Sequence, residues 1–378
     1  MEYSEQRDYI IVTYKKAHWS TKNRRFSSYN EDSISIDLEL GKQYSQAKGF
    51  SFFGVYDGHR VNAQKVSEMC SKKLPIYIAE NLSRDSFRGK TNISVKNAIK
   101  KGFEKTDQYL KLGQLSKEFK DVGSTALIAV MTPLKDLIID YVGDSPAFIS
   151  SNRLSAQITK EHDLHNKSEV VRLRTQKKHC GLRYSIKRLA SNKREKYWEC
   201  KSNMTLIVLY VFTKLEFANQ IYNTKYLDLL VLCSDGIIDQ LRAYKRKPTE
   251  VLLSYMMQYK NNLFKSLLEL ACKDLINLCD SISKSEYCTD DISIIIIVFK
   301  NGRSFRKWHE DATKSAEDSK VWMNSKTIDE KDLSDISEQD LYEVKPSVKN
   351  NIFDIYDTSN QYSAEEAENF ANMTVPDL

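Results

Sequence analysis

The sequence predicts an α+β fold for the first 300 residues of this 378-residue chain. Short runs rich in Val, Ile, Phe and Tyr end at Gly, Asp, Ser or Pro, a pattern typical of buried β-strands. Between them lie longer segments in which apolar residues return at helical spacing. The two kinds of segment come in blocks rather than in strict alternation, which favours α+β over a doubly wound parallel sheet.

The strand pattern predicts elements at residues 50–56, 126–131, 137–142, 206–212, 229–233 and 292–299. The helical pattern predicts elements at residues 63–81, 95–112 and 263–282. In the first of these helices Cys70, Leu74 and Ile78 fall four residues apart, so they share one face. A helix with one apolar face is expected to pack against a core.

Charge is divided unevenly along the chain. The whole sequence has 57 Lys and Arg against 51 Asp and Glu, a formal net charge of +6. Residues 301–378 hold 9 basic and 17 acidic groups, so the first 300 residues carry a net +14. We predict a domain over residues 1–300 and an acidic, polar C-terminal extension over 301–378, which we expect to be mobile. The basic body suits an anionic partner, and the extension either shields that surface or serves solubility.

Composition and terminal sequence exclude several classes of protein. No apolar run reaches the roughly 18–20 residues of a membrane-spanning helix. The N-terminus is acidic and lacks the apolar core of a signal peptide, so we expect a cytoplasmic or nuclear protein with reduced cysteines. The basic body raises the alternative of nucleic-acid binding, but the sequence has no zinc-finger spacing and no RNP-like aromatic motif. We therefore expect no nucleic-acid partner, and we expect a monomer.

The most informative feature is the position of carboxylates at the ends of predicted strands. They occur in short motifs: Asn30-Glu31-Asp32, Asp57-Gly58-His59, Gly143-Asp144-Ser145, Ser234-Asp235-Gly236 followed by Asp239, and Asp290-Asp291. A single Asp-Gly pair is usually a turn. Several acidic motifs at strand ends, however, supply the oxygen ligands that Mg²⁺ and Mn²⁺ prefer. The pattern indicates a divalent-cation site at the rim of a sheet, although spacing alone does not bring the motifs together.

The order of these motifs resembles that of the metal-dependent protein serine/threonine phosphatases of type 2C. The matching stretches are YNEDS (29–33), FFGVYDGH (52–59), VKNAIKKGFEKTDQYL (95–110), GSTALIAV (123–130), YVGDSPAF (141–148), ITKEHD (158–163), LLVLCSDGIIDQL (229–241) and TDDISIIIIVF (289–299). They cover about residues 8–300 in the order of the family. The resemblance implies two antiparallel β-sheets packed as a sandwich and flanked by helices. It also implies hydrolysis of phosphoserine and phosphothreonine in protein substrates.

The same resemblance implies a centre of two Mg²⁺ or Mn²⁺ ions, with a third, weaker ion in some members. Asp57 matches the residue that bridges the two ions, and the carbonyl of Gly58 matches a further ligand. Asp235 and Asp290 match the residues that complete one ion's site. Ions about 3.5–4 Å apart clamp the phosphoryl oxygens and activate a water for in-line attack.

Further roles are implied for acidic residues and a histidine. Glu31 matches a ligand of the other ion, and Asp32 matches the residue that orients water. Asp144 and Asp239 match positions that hold the third ion. His59 matches the general acid that protonates the leaving serine or threonine oxygen, a task that suits a histidine near neutral pH.

Two departures from the family pattern lie at substrate-handling positions. Arg60 and Val61 follow the Asp-Gly-His motif where the family has a small residue and a glycine. Arg60 therefore places a positive charge beside the expected phosphate. Ser27 stands where the family has the arginine that holds the phosphate, while Arg25 lies slightly upstream. Either Arg25 or Arg60 is a candidate phosphate-binding residue.

Two further departures concern the middle of the chain and the last acidic motif. Residues 188–198 lack the family's Gly-Asp pair and contain Arg194-Glu195, within a stretch rich in Lys and Arg. That stretch is either a basic flap suited to acidic phosphopeptides or a solvated loop. Asp291 replaces the usual asparagine, adding negative charge beside the site. Because the candidate ligands are kept, we favour an active phosphatase. The alternative is a weak or inactive phosphatase-like adaptor or regulator.

Overall fold

The computed structural model describes residues 2–5, 9–16, 30–40, 42, 44–59, 63–82, 92–114, 122–151, 154–162, 182–188, 194–200, 220–242, 247–258, 264–286 and 290–318. The strands are β1 (Glu2–Glu5), β2 (Tyr9–Lys16), β3 (Ser33–Asp37), β4 (Ser51–Tyr56), β5 (Gly58–His59), β6 (Gly123–Ser124), β7 (Ala126–Met131), β8 (Asp136–Val142), β9 (Ala147–Ser151), β10 (Leu154–Gln157), β11 (Leu182–Arg188), β12 (Arg194–Cys200), β13 (Gln220–Asn223), β14 (Leu229–Cys233) and β15 (Ile292–Phe299). The helices are α1 (Ala63–Asn81), α2 (Asn92–Gln114), α3 (Asp235–Arg242), α4 (Pro248–Gln258), α5 (Phe264–Glu286) and α6 (Phe305–Asp318).

Two antiparallel sheets form the centre of the molecule. The first has the strand order β1-β2-β15-β14-β9-β10, and the second has the order β13-β8-β7-β4-β3. In the first sheet Val231 of β14 pairs with Ile296 of β15. In the second sheet Gly54 of β4 pairs with Ile128 of β7. Two further antiparallel pairs, β5-β6 and β11-β12, complete the strand pairing of the described residues.

The central strands β4, β7, β14 and β15 are buried on both faces, because helices cover the outer face of each sheet. The described residues thus form a four-layer sandwich. Ile295 and Ile297 of β15 lie in the apolar core between the sheets. Ile294 and Ile296, at the alternate positions, lie in the core between this sheet and the helices that cover it. All eight residues of β15 are buried. This explains why the sequence shows continuous apolar runs instead of an alternation of apolar and polar residues.

Helices cover both outer faces of the sandwich. Leu74 of α1 and Phe103 of α2 join Phe52 of β4 in the core that covers the second sheet. Leu241 of α3 and Leu275 of α5 belong to the corresponding core on the first sheet. The predicted sandwich of two antiparallel sheets with flanking helices is therefore confirmed.

Most predicted elements agree closely with the structure. The elements predicted at 126–131, 229–233, 292–299 and 63–81 have the bounds of β7, β14, β15 and α1. The others differ by one residue for β4 and β8, and by up to four residues for α2 and α5. The run at 206–212 lies outside the described residues.

The C-terminal extension needs a correction at its start. We placed its beginning at residue 301, but α6 follows that point, and its Phe305 and Trp308 are buried in the helical core of the first sheet. The Trp308 indole N–H donates to the Asp228 carbonyl oxygen at 3.2 Å. The composition of this segment is polar because only one face of α6 is apolar, and this hid the helix from a reading of composition. Residues 319–378 lie outside the described residues, and the division of the chain there stays a prediction.

Two other predictions from composition can be compared with the described residues. Cys70, Cys233, Cys272 and Cys279 are buried free thiols, in agreement with the expected reduced cysteines. None of the helices in the described ranges combines the length and the apolar character needed to cross a membrane.

Candidate metal centre

The acidic loops of the second sheet meet at one end of the sandwich. β3 and β4 are antiparallel, and Ser33 pairs with Tyr56. Asp32, just before β3, and Asp57, just after β4, therefore lie side by side at the same edge. Asp32 is 1% exposed and Asp57 is 7% exposed, so both carboxyl groups are largely removed from water.

The acidic loops of the first sheet reach the same end. Cys233 at the end of β14 pairs with Ile294 near the start of β15. Asp235, which begins α3, and Asp290, which precedes β15, are thereby brought to one edge. The carboxyl groups of Asp235 and Asp57 also lie close enough across the two sheets for each to shift the pKa of the other. The structure thus brings together four of the predicted ligands, Asp32, Asp57, Asp235 and Asp290.

Two glycines permit this close approach of loops. A Cβ atom on Gly58 would lie 2.5 Å from the carbonyl oxygen of Glu31. A Cβ atom on Gly236 would overlap the carbonyl oxygen of Asp291. Real Cβ atoms do not approach backbone oxygens so closely, so any side chain here would push the acidic loops apart. The glycines of the Asp-Gly motifs are therefore needed for contact between loops and not only for turns.

The backbone of Glu31 is held by groups that leave its side chain available. Its N–H donates to the Asp291 carboxylate, with 2.5 Å between N and Oδ2. Its carbonyl oxygen accepts a hydrogen bond from the Ser67 hydroxyl at 2.5 Å. Neither contact uses the Glu31 carboxyl group.

The backbone of Asp32 is held in the same way. Its N–H donates to the Asn30 side-chain oxygen at 2.8 Å, and its carbonyl oxygen accepts a hydrogen bond from the Lys15 ammonium. Both carboxylate oxygens of Asp32 are buried and have no hydrogen-bond partner. The loop therefore presents an acidic side chain whose position is fixed entirely through the backbone.

Asp57 is anchored by Thr125, which follows the short strand β6. The Asp57 N–H donates to Thr125 Oγ1 at 3.0 Å, and the Thr125 N–H donates to the Asp57 carbonyl oxygen at 2.7 Å. Thr125 Oγ1 also lies 2.7 Å from the Ser145 hydroxyl. These contacts fix the backbone of the most central carboxylate and tie it to the loop that carries Asp144.

Burial and mutual repulsion make these carboxyl groups hard to ionise. Burial, together with the charges of the neighbouring Asp291 and Asp290 carboxylates, raises the pKa of Asp32 and of Glu31 to about 7. Burial likewise raises the pKa of Asp290 to about 6 and those of Asp57 and Asp235 well above the ordinary range for aspartate. Clustered acids of this kind favour a bound cation, which would reverse all of these shifts.

The unpartnered oxygens test whether the cluster fits a divalent cation. The Ser234 and Ser293 hydroxyls lie close enough to Asp32 to lower its pKa, but neither makes a hydrogen bond of good geometry with it. Oδ1 of Asp235 also lacks a partner. Buried polar atoms without partners are rare, and an ion is one of the few explanations for them. The candidate donors are all oxygen atoms, which hard cations such as Mg²⁺ and Mn²⁺ prefer.

The described side chains do not form a closed ion-binding cage. As they stand, no three of the described Asp, Glu, His and Cys side chains converge closely enough to hold one ion together. The raised pKa values and the unpartnered oxygens fit a cation site, but the described side chains do not by themselves form one.

Three other predicted residues lie near the cluster. The charges of Asp144 and Asp239 both raise the pKa of Asp235, so each lies within electrostatic reach of it. His59 is partly exposed on β5, and its backbone pairs with Gly123 on β6. Its imidazole lies over Gly123, because a Cβ atom there would be 2.7 Å from Nε2. Arg25, Arg60, Ser27 and Val61 lie outside the described residues, and their predicted roles stay predictions.

Sequence reasoning missed the residues that support the cluster. Thr125 belongs to a stretch without an acidic motif, and Lys15 stands in β2, 16 residues before Glu31. His162 was also missed: its Nδ1 accepts the Gly143 N–H at 3.1 Å, and its ring stacks on Tyr141. None of these residues has a local motif, and only the adjacency of strands reveals them.

Comparison with known proteins agrees with this arrangement. The family model described as protein phosphatase 2C matches residues 17–191. The chain is therefore similar to the type 2C protein phosphatases in sequence and in fold. Protein phosphatase 1A of Homo sapiens is 30% identical over 131 residues, which are 34% of this chain and 34% of that protein. Protein phosphatase 2C homolog 2 of Schizosaccharomyces pombe is 25% identical over 291 residues, which cover 75% of this chain and 73% of that protein.

Solved structures show the same type 2C fold. The serine-threonine phosphatase 2C of Toxoplasma gondii matches with a TM-score of 0.57 and 14% identity, covering 79% of this chain and 97% of that one. A sex-determining protein of C. elegans matches with a TM-score of 0.55 and 17% identity, covering 80% of this chain and 67% of that one. The segment aligned with the human relative spans about a third of that relative's length.

Proposed function

We propose that this chain is a Mg²⁺- or Mn²⁺-dependent protein serine/threonine phosphatase that hydrolyses phosphoserine and phosphothreonine. One observation carries the proposal: Asp32 and Asp57 are buried at one end of a type 2C sandwich with the half-buried Asp235 beside them, and carboxylate oxygens of Asp32 and Asp235 lack hydrogen-bond partners. Such oxygens are suited to hold divalent cations. Phosphorylated proteins are the expected partners, and a cytoplasmic or nuclear location stays a prediction.

The residues of this chain are assigned the following tasks. Asp57, Asp235 and Asp290 hold the cations, with Glu31 and Asp32 on the side of β3, and the Gly58 carbonyl is a further candidate ligand. Asp144 and Asp239 are candidates for a third, weaker ion. When bound, divalent cations supply positive charge to the phosphoryl oxygens and activate water.

His59 is assigned the role of general acid. In the reaction a water oxygen bonds to phosphorus while the bond from phosphorus to the serine or threonine oxygen breaks. The leaving oxygen takes a proton from His59, which avoids the release of an alkoxide. The support for this role is positional: His59 follows Asp57 by two residues and is partly exposed beside the cluster.

The direct test is phosphate release from a phosphothreonine peptide by the full chain in EDTA, in Mg²⁺ and in Mn²⁺. We expect turnover only with a divalent cation, and we expect Asp57→Asn to reduce it by at least about 10³-fold, since that variant loses a central ligand charge. The matched control is Asp37→Asn, the same substitution at the far end of β3, for which turnover should be unchanged. Folded protein without turnover in any metal would instead favour the phosphatase-like regulator.

The role of His59 has a separate signature. His59→Ala should slow hydrolysis of the phosphothreonine peptide by about 10²-fold or more, because its leaving group needs a proton. It should slow hydrolysis of p-nitrophenyl phosphate far less, since nitrophenolate leaves without help. Equal losses on the two substrates would remove His59 from the role of general acid while leaving the metal-dependent hydrolysis intact.

A further inference from the structure

Lys15 brings a positive charge to the acidic end of the sandwich. It is the penultimate residue of β2, and its backbone pairs with Ser293 at the start of β15. Its ammonium group donates a hydrogen bond to the carbonyl oxygen of Asp32. Burial lowers the pKa of Lys15, while the nearby carboxylates of Asp32, Asp291 and Glu68 raise it. Lys15 therefore acts on the loop before β3 both by a hydrogen bond and by its charge.

Asp291 touches the same loop from the other side. Its Oδ2 accepts the N–H of Glu31 at 2.5 Å, and its own N–H donates to Asp290 Oδ1 at 2.8 Å. Its carbonyl oxygen lies against Gly236 and 3.3 Å from the Ser234 hydroxyl. One residue thus joins the loops that carry Glu31, Asp235 and Asp290.

These contacts oppose a repulsion that the cluster creates. The carboxylates of Asp290 and Asp291 raise the pKa of Glu31 and of Asp32, which means that the loop before β3 is pushed away by the loop before β15. A hydrogen bond from an amide to a carboxylate, and one from an ammonium to a carbonyl, are both charge-assisted and stronger than neutral ones. Both use backbone atoms of the loop, so the carboxyl groups of Glu31 and Asp32 stay free to bind an ion.

We propose that Lys15 and Asp291 are a positioning pair for the metal centre: Asp291 holds the backbone of Glu31, Lys15 holds the backbone of Asp32, and the two opposite charges balance each other beside the cluster. The inference rests on the proposed function in one respect, which is that Glu31 and Asp32 serve bound cations. Neither Lys15 nor Asp291 is required to touch the ion or the substrate.

The first test is the dissociation constant of Mn²⁺, measured by titration calorimetry on the full chain. Loss of groups that orient metal ligands typically costs 10–100-fold in metal affinity. Lys15→Met and Asp291→Ala should therefore each weaken Mn²⁺ binding by about 10-fold. Asp291→Asn should cost less, because the amide oxygen still accepts the Glu31 N–H. The matched control is Lys16→Met, which removes the same charge from the next residue of β2, on the opposite face of the strand, and should leave the affinity within about 2-fold.

The direction of the change in Mn²⁺ affinity in Lys15→Met distinguishes a positioning role of Lys15 from a purely electrostatic one. If Lys15 acted only as a nearby positive charge, its removal would make the cluster more negative and Mn²⁺ would bind more tightly. Tighter or unchanged binding in Lys15→Met would therefore overturn the proposal.

The second test needs no metal binding at all. Urea unfolding in EDTA of the wild type, Lys15→Met, Asp291→Ala and the double variant forms a double-mutant cycle. Lys15→Met should be less destabilising in the Asp291→Ala background, because the attraction between the Lys15 ammonium and the Asp291 carboxylate has already been lost there. Strictly additive losses of stability in the two single variants would show that Lys15 and Asp291 do not act as a pair. A wild-type protein that fails to bind Mn²⁺ would sink the proposed function, whereas this cycle would still decide whether the pair exists.

Discussion

Strand β14 has an aspartate near each end, and the two residues have opposite surroundings. Asp228 precedes the strand, and its Oδ1 binds the Arg303 guanidinium at 2.8 Å while its carbonyl oxygen accepts the Trp308 indole N–H. Asp235 follows the strand, has an Oδ1 without a partner, and lies among the carboxylates of Asp57 and Asp290. An acid whose partners belong to the chain serves the fold. An acid surrounded by other acids indicates that its partner is a bound ligand and not another residue of the chain.

Exchanging each aspartate for asparagine should separate these two roles, and this is the largest effect that we predict. Asp235→Asn should abolish metal-dependent phosphate release, by at least about 10³-fold, because the site loses a ligand charge. In EDTA the same variant should be more stable than the wild type, since one of several repelling carboxylates has been removed. Phosphate release and urea unfolding on the same preparations measure both effects.

Asp228→Asn should show the reverse behaviour. It breaks a half-buried ion pair with Arg303, so we expect a loss of about 1–3 kcal/mol in the free energy of unfolding. Turnover per folded molecule should be unchanged, because Asp228 lies at the far end of β14. A comparison in which both variants lose stability, or both lose turnover, would show that the contrast between the two ends of the strand is wrong.

Substitutions in α6 should also destabilise the end of β14 that carries Asp228. Trp308 is fully buried and donates to the Asp228 carbonyl oxygen, so Trp308→Ala should cost about 3–5 kcal/mol of stability. The control is Lys307→Ala, which removes an exposed ion pair with Asp311 and should leave the stability nearly unchanged. Truncation after residue 300 should be as damaging as Trp308→Ala or worse, whereas truncation after residue 318 keeps α6. A stable protein ending at residue 300 would contradict the packing of α6 as part of the domain.

The acidic cluster at the other end of β14 should make the stability of the protein depend on pH. The direction of this dependence should differ with and without a bound metal ion. Asp32 and Glu31 have pKa values raised to about 7, and Asp290 to about 6, so without a cation the folded protein holds protons that the unfolded chain releases near pH 4. Stability in EDTA should therefore fall as the pH rises from about 4 to about 7. With saturating Mn²⁺ the bound carboxylates have lowered pKa values, so stability should instead be lost as the pH falls.

Thermal melting at a series of pH values, with EDTA and with Mn²⁺, gives both slopes. Asp32→Asn should flatten the slope in EDTA, because it removes one of the titrating groups. Parallel slopes in EDTA and in Mn²⁺ would argue against cation binding by this cluster.

The same contrast explains what the sequence could predict about the fold. β14 and β15 are buried on both faces, so their apolar runs were visible and their bounds were predicted correctly. α6 was assigned to a polar extension because its buried residues, among them Phe305 and Trp308, are separated by charged ones. A single apolar face is a weak signal when the rest of a helix is highly charged.

In the site, too, some residues could be predicted from the sequence and others could not. Its acidic residues could be predicted because each stands in a short motif at a strand end, and the register of β3 with β4 and of β14 with β15 then brings them together. Lys15 and Thr125 could not, because what matters about them is which loop they touch. Lys15 reaches Asp32 across 17 positions of sequence, and Thr125 reaches Asp57 across 68. No local pattern encodes such contacts, which arise only when the sheets form.

Thr125 offers the smallest and sharpest test of how the acidic end is supported. Thr125→Val keeps the shape of the side chain but removes the oxygen that accepts the Asp57 N–H, leaving a buried donor without a partner, so we expect a loss of about 1–3 kcal/mol in stability. Because Asp57 would be less firmly held, Mn²⁺ affinity and turnover should fall together by about 10-fold. Thr125→Ser should restore both.

The matched control is Thr106→Val in α2, where the buried hydroxyl only donates to the Gly102 carbonyl oxygen. That carbonyl is already part of the helix, so little should change in stability and nothing in Mn²⁺ affinity. If Thr125→Val lost stability without losing Mn²⁺ affinity, Thr125 would belong with Asp228 as a support of the fold. A joint loss that serine rescues would instead mean that the Thr125 hydroxyl positions Asp57 through its backbone, which leaves the Asp57 carboxyl group available for a cation.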